Sequence, residues 1–314
     1  MPSGGPVRTL GRVSTATDPL APLAELPGVP QAVTEVRRAV DRLYGHRVMR
    51  RRAAEVTSEA ALRGARASAA LDGADWPLEE VRRRTDFSAD PQARTVGGAL
   101  RLSSEAGRLL SVWRTSPLQV LARLHLLAAG DGGDGGDAVG RPRRSGEPAA
   151  ELFPGAVAAT EPAGDLPLGS FELPPAPGAD EVAARLDQLA GLLAARADRG
   201  GAGPNAKAAP ALVVAAVVHG ELLVLRPFGS GNGLVARAAQ RIVLIAEGLD
   251  PKAICAAEVG LAELGTDAYR AALAGYASGT PEGVAAWIDH CGRALRLGVR
   301  ESTAVCEAMQ RGMV

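Results

Sequence analysis

Apolar residues recur at three- and four-residue steps along most of this chain, the period of a helix that buries one face. Residues 31–64 show it in Val33, Val36, Val40, Leu43 and Tyr44. Residues 118–129 (LQVLARLHLLAA) read as an amphipathic or buried helix, and 180–197 carry a stripe of Leu186, Leu189 and Leu193. Residues 211–225 are an apolar run, and 208–225 are expected as a helix leading into the turn that follows. Further helices are expected at 234–247, with Gly248 as a stop, and at 252–264, 267–277 and 281–296, with a last one ending near Met309. Residues 85–102 are mixed, and Gly97-Gly98 weakens a helix there. The pattern predicts an all-α protein.

Three stretches break it. Residues 1–30 are rich in Pro and Gly and read as a flexible arm. Residues 130–140 (GDGGDGGDAVG) are low-complexity, and their aspartates lack the bidentate Glu and spacing of a calcium loop. Residues 141–179 stay Pro/Gly-rich with no hairpin signal. The expected organisation is an arm over 1–30, a helical region over 31–117, and a main domain over 118–314 that carries the long loop 130–179. The segment Ser68-Ala69-Ala70-Leu71-Asp72-Gly73 reads as a helix end with a glycine stop, and Trp76-Pro77-Leu78 opens the next helix.

Composition narrows the class. Of 314 residues 46% are apolar but only 3% aromatic, so Ala, Leu and Val must fill the core, which favours close-packed helices. Thirty-five basic residues balance thirty-five acidic ones, so no charge excess calls for nucleic acid or an anionic membrane as partner. The cluster Arg47, Arg50, Arg51, Arg52 reads as a solvated helix face. Cys255, Cys291 and Cys306 have neither zinc nor disulfide spacing and suit a reducing compartment. Residues 211–225 are too short to span a bilayer and are interrupted by His219 and Glu221. With no signal-peptide core at the start, a cytoplasmic protein is expected.

The chemistry concentrates between two helices. The turn Arg226-Pro227-Phe228-Gly229-Ser230-Gly231-Asn232-Gly233 leads into the segment from Leu234. Glycines ahead of a helix start leave backbone N–H groups and the positive helix end aimed at one place, an anion site. Arg237 lies about one turn further on and can add a guanidinium fork for a phosphate. A dinucleotide fold would need Gly-x-Gly-x-x-Gly directly after a strand. Here the third glycine comes one position early, Arg-Pro-Phe intervenes, and no strand–helix alternation follows. A P-loop lacks its Gly-Lys-Ser/Thr.

Pro227, Phe228, Gly231, Asn232, Gly233 and Arg237 fall in the frame of the core motif of the Fic (filamentation induced by cAMP) family, and the chain resembles that family over roughly residues 118–296. The resemblance implies a helical domain that binds ATP. In such a site a His takes a proton from a target hydroxyl, an acid holds Mg²⁺, glycines cradle phosphates, two arginines grip the outer ones, and AMP passes to a protein. Here Arg226 stands at the His, Ser230 at the acid and Leu234 at the first Arg. Arg226 stays protonated and cannot be a base, and Ser230 is a poor Mg²⁺ ligand. The nucleotide-binding residues so implied are Gly229, Ser230, Gly231, Asn232, Gly233 and Arg237, with no catalytic base and no metal residue.

Many members of that family also carry an inhibitory helix, Ser/Thr-xxx-Glu-Gly/Asn, whose Glu pairs with the second motif Arg. Ser68, Asp72 and Gly73 match it with an Asp one methylene shorter. Tyr269 and Trp287 fall where the family often has an aromatic, and Leu124-His125 lies on the helix ahead of its target-binding flap. His125 reads as a core histidine. His219, two turns before Arg226, is some ~10 Å away along the helix axis and reads as structural. The leading expectation is a degenerate Fic protein that binds a nucleotide or another phosphate ligand, with weak or no AMP transferase activity on an unknown target. The alternatives are an active transferase of AMP or another phosphate-bearing group, and a helical interaction module without ligand. Fic proteins often form homodimers, and nothing in the sequence fixes the oligomer.

Overall fold

The computed structural model describes residues 18–130, 136–162, 172–198 and 208–313, and among these no strand occurs. Eleven α-helices follow one another: α1 Val29–Tyr44, α2 Met49–Leu71, α3 Leu78–Arg83, α4 Pro91–Glu105, α5 Leu110–Thr115, α6 Pro117–Ala129, α7 Ala179–Asp198, α8 Ala211–Leu225, α9 Asn232–Ala246, α10 Ala257–Ala277 and α11 Pro281–Gln310. Short 3₁₀ turns occupy Ala21–Glu25 and Gly136–Ala138. No helix among the described residues is long and apolar enough to cross a membrane.

The architecture is built around α8. All but Ala211 and Glu221 of its fifteen residues are buried, as its lack of a polar face requires. It packs on α9, α11, α10 and α1, and the hairpin α10–α11 forms the most extensive helix pair. Small residues set the spacing. A Cβ on Gly260 of α10 would lie 1.9 Å from the Ala294 carbonyl of α11, so these backbones approach as only glycine permits. The same holds for α4 and α6, where a Cβ on Gly98 would lie 2.4 Å from the Ala128 carbonyl. Gly97-Gly98 therefore does not dissolve the helix expected to be weak over 85–102. It lets α4 seat against its neighbour, and packing offsets the poor propensity.

Several boundaries differ from the sequence expectation. The single run 31–64 is two helices, broken between Tyr44 and Met49. At that break the Tyr44 hydroxyl donates to Asp250 at 2.7 Å, and Asp250 also accepts from the Ile254 and Cys255 N–H groups. Residues 257–277 form one element kinked at Gly265 (φ 81°, ψ 158°), and 281–310 form a single thirty-residue helix. The arm expected over 1–30 is pinned from Asp18 onward: Asp18 is buried, pairs with Arg196 and accepts from the Ala209 N–H at 2.8 Å. Residues 1–17 lie outside the described residues, as does part of the loop 130–179. The three cysteines are free and buried.

Candidate phosphate site at the start of helix nine

Helix α8 ends at Arg226, which takes the left-handed conformation (φ 43°, ψ 61°) and returns its N–H to the Leu222 carbonyl at 3.0 Å. A non-glycine residue there costs ~1–2 kcal/mol, so the surroundings must hold it. They do. Arg143, buried on the long loop, donates its Nε to the Arg226 carbonyl at 2.8 Å, and its Nη2 reaches the Leu225 carbonyl at 3.4 Å and the Pro177 carbonyl at 3.0 Å. The loop follows the turn by backbone bonds as well, from the Arg143 N–H to the Pro227 carbonyl at 2.7 Å and from the Ala150 N–H to the Gly229 carbonyl at 3.1 Å. No hairpin strand forms among the described residues. The contacts hold the loop on the motif, a role that its Pro/Gly-rich sequence did not advertise.

Asn232 closes the turn. Its side-chain oxygen accepts from the Phe228 N–H at 2.9 Å and its amide donates to the Phe228 carbonyl at 2.8 Å. Gly231 (φ 64°) then starts α9 with no side chain capping the first turn. A 370 Å³ cavity opens over this start, lined by Ser230, Gly231, Asn232, Gly233 and Leu234, by Asp72, and by Arg94 and Thr95 of α4. Uncapped N–H groups and the helix dipole thus meet a cavity, the arrangement that favours an anion. The expected site residues divide here. Ser230 to Gly233 line the cavity, with the Asn232 side chain spent on the turn. Gly229 lies outside the lining, its carbonyl taken by Ala150.

Arg237 lies behind the cavity wall, 1% exposed. Its Nε donates to Ser68 Oγ at 2.8 Å, and its Nη2 donates to the Ser68 carbonyl at 2.9 Å and to Asp72 Oδ1 at 2.6 Å. Burial works against its charge, and Asp72 outweighs that and raises its pKa. The third nitrogen, Nη1, has no acceptor in hydrogen-bonding geometry among the described residues. A Cβ on Gly233 would lie 2.3 Å from Asp72 Oδ1 and 2.9 Å from Arg237 Nη1. The Asp72 carboxylate therefore rests against the first turn of α9, where a bound anion would compete with it, and only a glycine leaves room. Ser68 and Asp72, at the end of α2, come together with Arg237 across more than 160 residues of sequence, while Gly73 (φ 88°) turns the chain after them against Pro154 and Gly155.

Two histidines flank the motif. His219 is wholly buried. Its Nε2 lies 2.5 Å from the Tyr269 hydroxyl, its ring stands among Tyr269 and Trp287, and burial followed by the Arg237 charge drives its pKa well down. His125 stacks on Phe228 with centroids 4.2 Å apart, and burial lowers it to about 4. The Gly140 N–H donates to its Nδ1 at 3.0 Å, so the neutral ring carries its proton on Nε2 and offers no acceptor there. Both are core residues. Arg226 itself donates its Nη2 to the Pro174 carbonyl at 2.5 Å. Arg94 and Thr95 were not visible as site residues in the sequence, because α4 carries no motif and reaches the cavity through its packing on α2, α6 and α9.

No family model matches this chain, and no curated protein does. Solved structures do resemble it. A Fic family protein from Desulfovibrio desulfuricans superposes with a TM-score of 0.59 at 20% identity, covering 87% of this chain and 74% of that one. The Fic-1 protein of C. elegans gives a TM-score of 0.55 at 13% identity, covering 89% and 73%. A Fic-domain signalling protein from Bacteroides thetaiotaomicron gives 0.53 at 13% identity, covering 88% and 97%. The chain has the helical Fic fold.

Proposed function

We propose that this Fic-fold chain binds a nucleotide or another phosphate ligand in the cavity over the start of α9, gated by Asp72, with weak or no AMP transferase activity. The observation that carries the reading is the uncapped, glycine-built start of α9 opening into a 370 Å³ cavity with the Arg237–Asp72 pair at its wall. That volume lies in the ~300–1,000 Å³ range of small-molecule sites. Binding groups survive while reacting groups do not. Arg226 holds the position of the proton acceptor and stays cationic. Neither buried histidine can take its place. Loss of general-base help costs ~10²- to 10⁴-fold in rate.

Mg²⁺, which the resemblance implies, does not suit these residues. Among the described residues no cluster of three His, Cys, Asp or Glu side chains could hold a metal. Of the cavity's carboxylates, that of Asp72 is committed to Arg237, that of Glu151 belongs to an exposed residue, and Ser230 offers only a hydroxyl.

The test is calorimetric titration of ATP into wild type, Asp72→Ala and Arg237→Ala. Wild type is expected to bind weakly, Asp72→Ala more tightly, and Arg237→Ala not at all. Absence of binding to all three at millimolar ATP would defeat the reading and leave a helical scaffold to be pursued through its protein partners.

A further inference from the structure

We infer that Arg94 is the second cationic grip on the ligand, and that the site takes a nucleoside di- or triphosphate whose charge is offset by arginine and the helix dipole without a metal. The inference rests on the cavity being the nucleotide site argued above.

The motif has lost one phosphate fork, since Leu234 is apolar and buried at the position where the resemblance expects an arginine. A cation re-enters the same cavity from a different element. Arg94 lies in the first turn of α4, whose start is fixed by Asp90 accepting from the Ala93 N–H at 2.8 Å. Farther along, Gly98 locks α4 against the Ala128 carbonyl, and Ala128 and Ala129 line the cavity beside Arg94. The guanidinium is thus carried on a rigid wall. Its donors are largely unspent: the side chain is half-buried, makes one long 3.4 Å bond from Nη1 to the Ser88 carbonyl, and has no carboxylate within 4.0 Å among the described residues. Arg82 and Arg84, nearby in sequence, both pair with acids, whereas Arg94 keeps its fork largely free on the cavity wall. Arginine's planar fork matches phosphate oxygens two at a time.

The charge balance points the same way. Asp72 neutralises Arg237, so the net positive groups of the cavity are Arg94 and the end of α9, opposed by Glu151 alone. A single phosphate satisfies one of these. A chain of two or three phosphates can satisfy both, and where a carboxylate-held metal would otherwise offset its charge, Arg94 supplies the cation.

The experiment is calorimetry with AMP, ADP and ATP, in EDTA and in Mg²⁺, on the Asp72→Asn protein alone and combined with Arg94→Ala or Arg94→Lys. Arg94→Ala is expected to weaken ADP and ATP binding roughly 10- to 100-fold while leaving AMP unchanged. Arg94→Lys should fall between, since a lysine keeps the charge and loses the fork, and Mg²⁺ should not tighten ATP. Equal ATP affinity with and without Arg94, or ATP binding that appears only with Mg²⁺, overturns the inference and leaves the nucleotide site standing. If Asp72→Asn and wild type both fail to bind any of the three nucleotides, the site itself is refuted and Arg94 with it. Circular dichroism of each variant separates lost binding from lost folding, and Arg94→Lys preserves the test should Arg94→Ala not fold.

Discussion

Replacing Asp72 by alanine probes the lock on the cavity through stability, without any assumption about chemistry. The change strands Arg237, which is 1% exposed and has no other carboxylate partner within 4.0 Å among the described residues. Breaking one side of a buried pair costs ~3–5 kcal/mol. Asp72 borders the cavity and its side chain is 15% exposed, so water can reach the vacated place, and the lower figure applies. Ser68 keeps two of the guanidinium bonds. A loss of about 2–3 kcal/mol is expected, which lowers the melting temperature by roughly 4–12 °C at ~2–4 °C per kcal/mol. An anion that enters should repay this. A ligand at one hundred times its dissociation constant stabilises by ~2.7 kcal/mol, nearly the whole deficit. Thermal melts of wild type and Asp72→Ala against inorganic pyrophosphate or ATP should therefore converge as ligand rises. If the variant melts like wild type, or if the ligand raises both melting temperatures equally, Asp72 is not the occupant of the anion place and the gating argument fails.

Three other outcomes are expected. Restoring the reacting groups with Arg226→His and Ser230→Asp together, in the Asp72→Ala background, should raise label transfer from α-labelled ATP to lysate proteins by ~10²-fold or more, while Arg226→His alone stays near background; a wild type already as active as the combined variant would refute the loss of function. Gly260→Ala puts a Cβ 1.9 Å from the Ala294 carbonyl and should cost ~2–3 kcal/mol by denaturant unfolding, whereas Gly191→Ala, with nothing within 4 Å, should gain ~0.5–1 kcal/mol. The buried histidines should make the fold acid-sensitive: burial holds His125 near 4 and His290 near 3, below the ~6.5 of an unfolded chain, so the unfolded state binds protons first and stability falls as pH drops below about 6.5. Each contributes up to ~1.4 kcal/mol per pH unit, and His290→Leu should flatten the slope measured between pH ~6.5 and ~5.

Where the sequence was read correctly, the information was local. The all-α class came from period and composition, and α8 was legible as an apolar run over 211–225. The glycine turn before α9 was legible because it is made of consecutive residues. Boundaries slipped where a distant residue decides them. Tyr44, at the break, is held by Asp250 some two hundred residues on, and Gly97-Gly98 is helical because α6 packs beside it. The pairing of Ser68 and Asp72 with Arg237 could be nominated from sequence only through a family resemblance, since no local rule joins α2 to α9.

The amino-acid order by itself thus determined most of the helices, the apolar central one, the glycine-rich turn, and the absence of a base and acid at Arg226 and Ser230, because propensity, period and side-chain chemistry act within a few residues. Only the tertiary structure decided what faces that turn: that Asp72 lines the cavity and pairs with Arg237, that Arg237 lies behind the wall, that Arg143 clamps the loop, and that Arg94 lines the same cavity. Those relations depend on which helices can approach closely, and the glycines at 98 and 233 grant that approach only once their partners are in place.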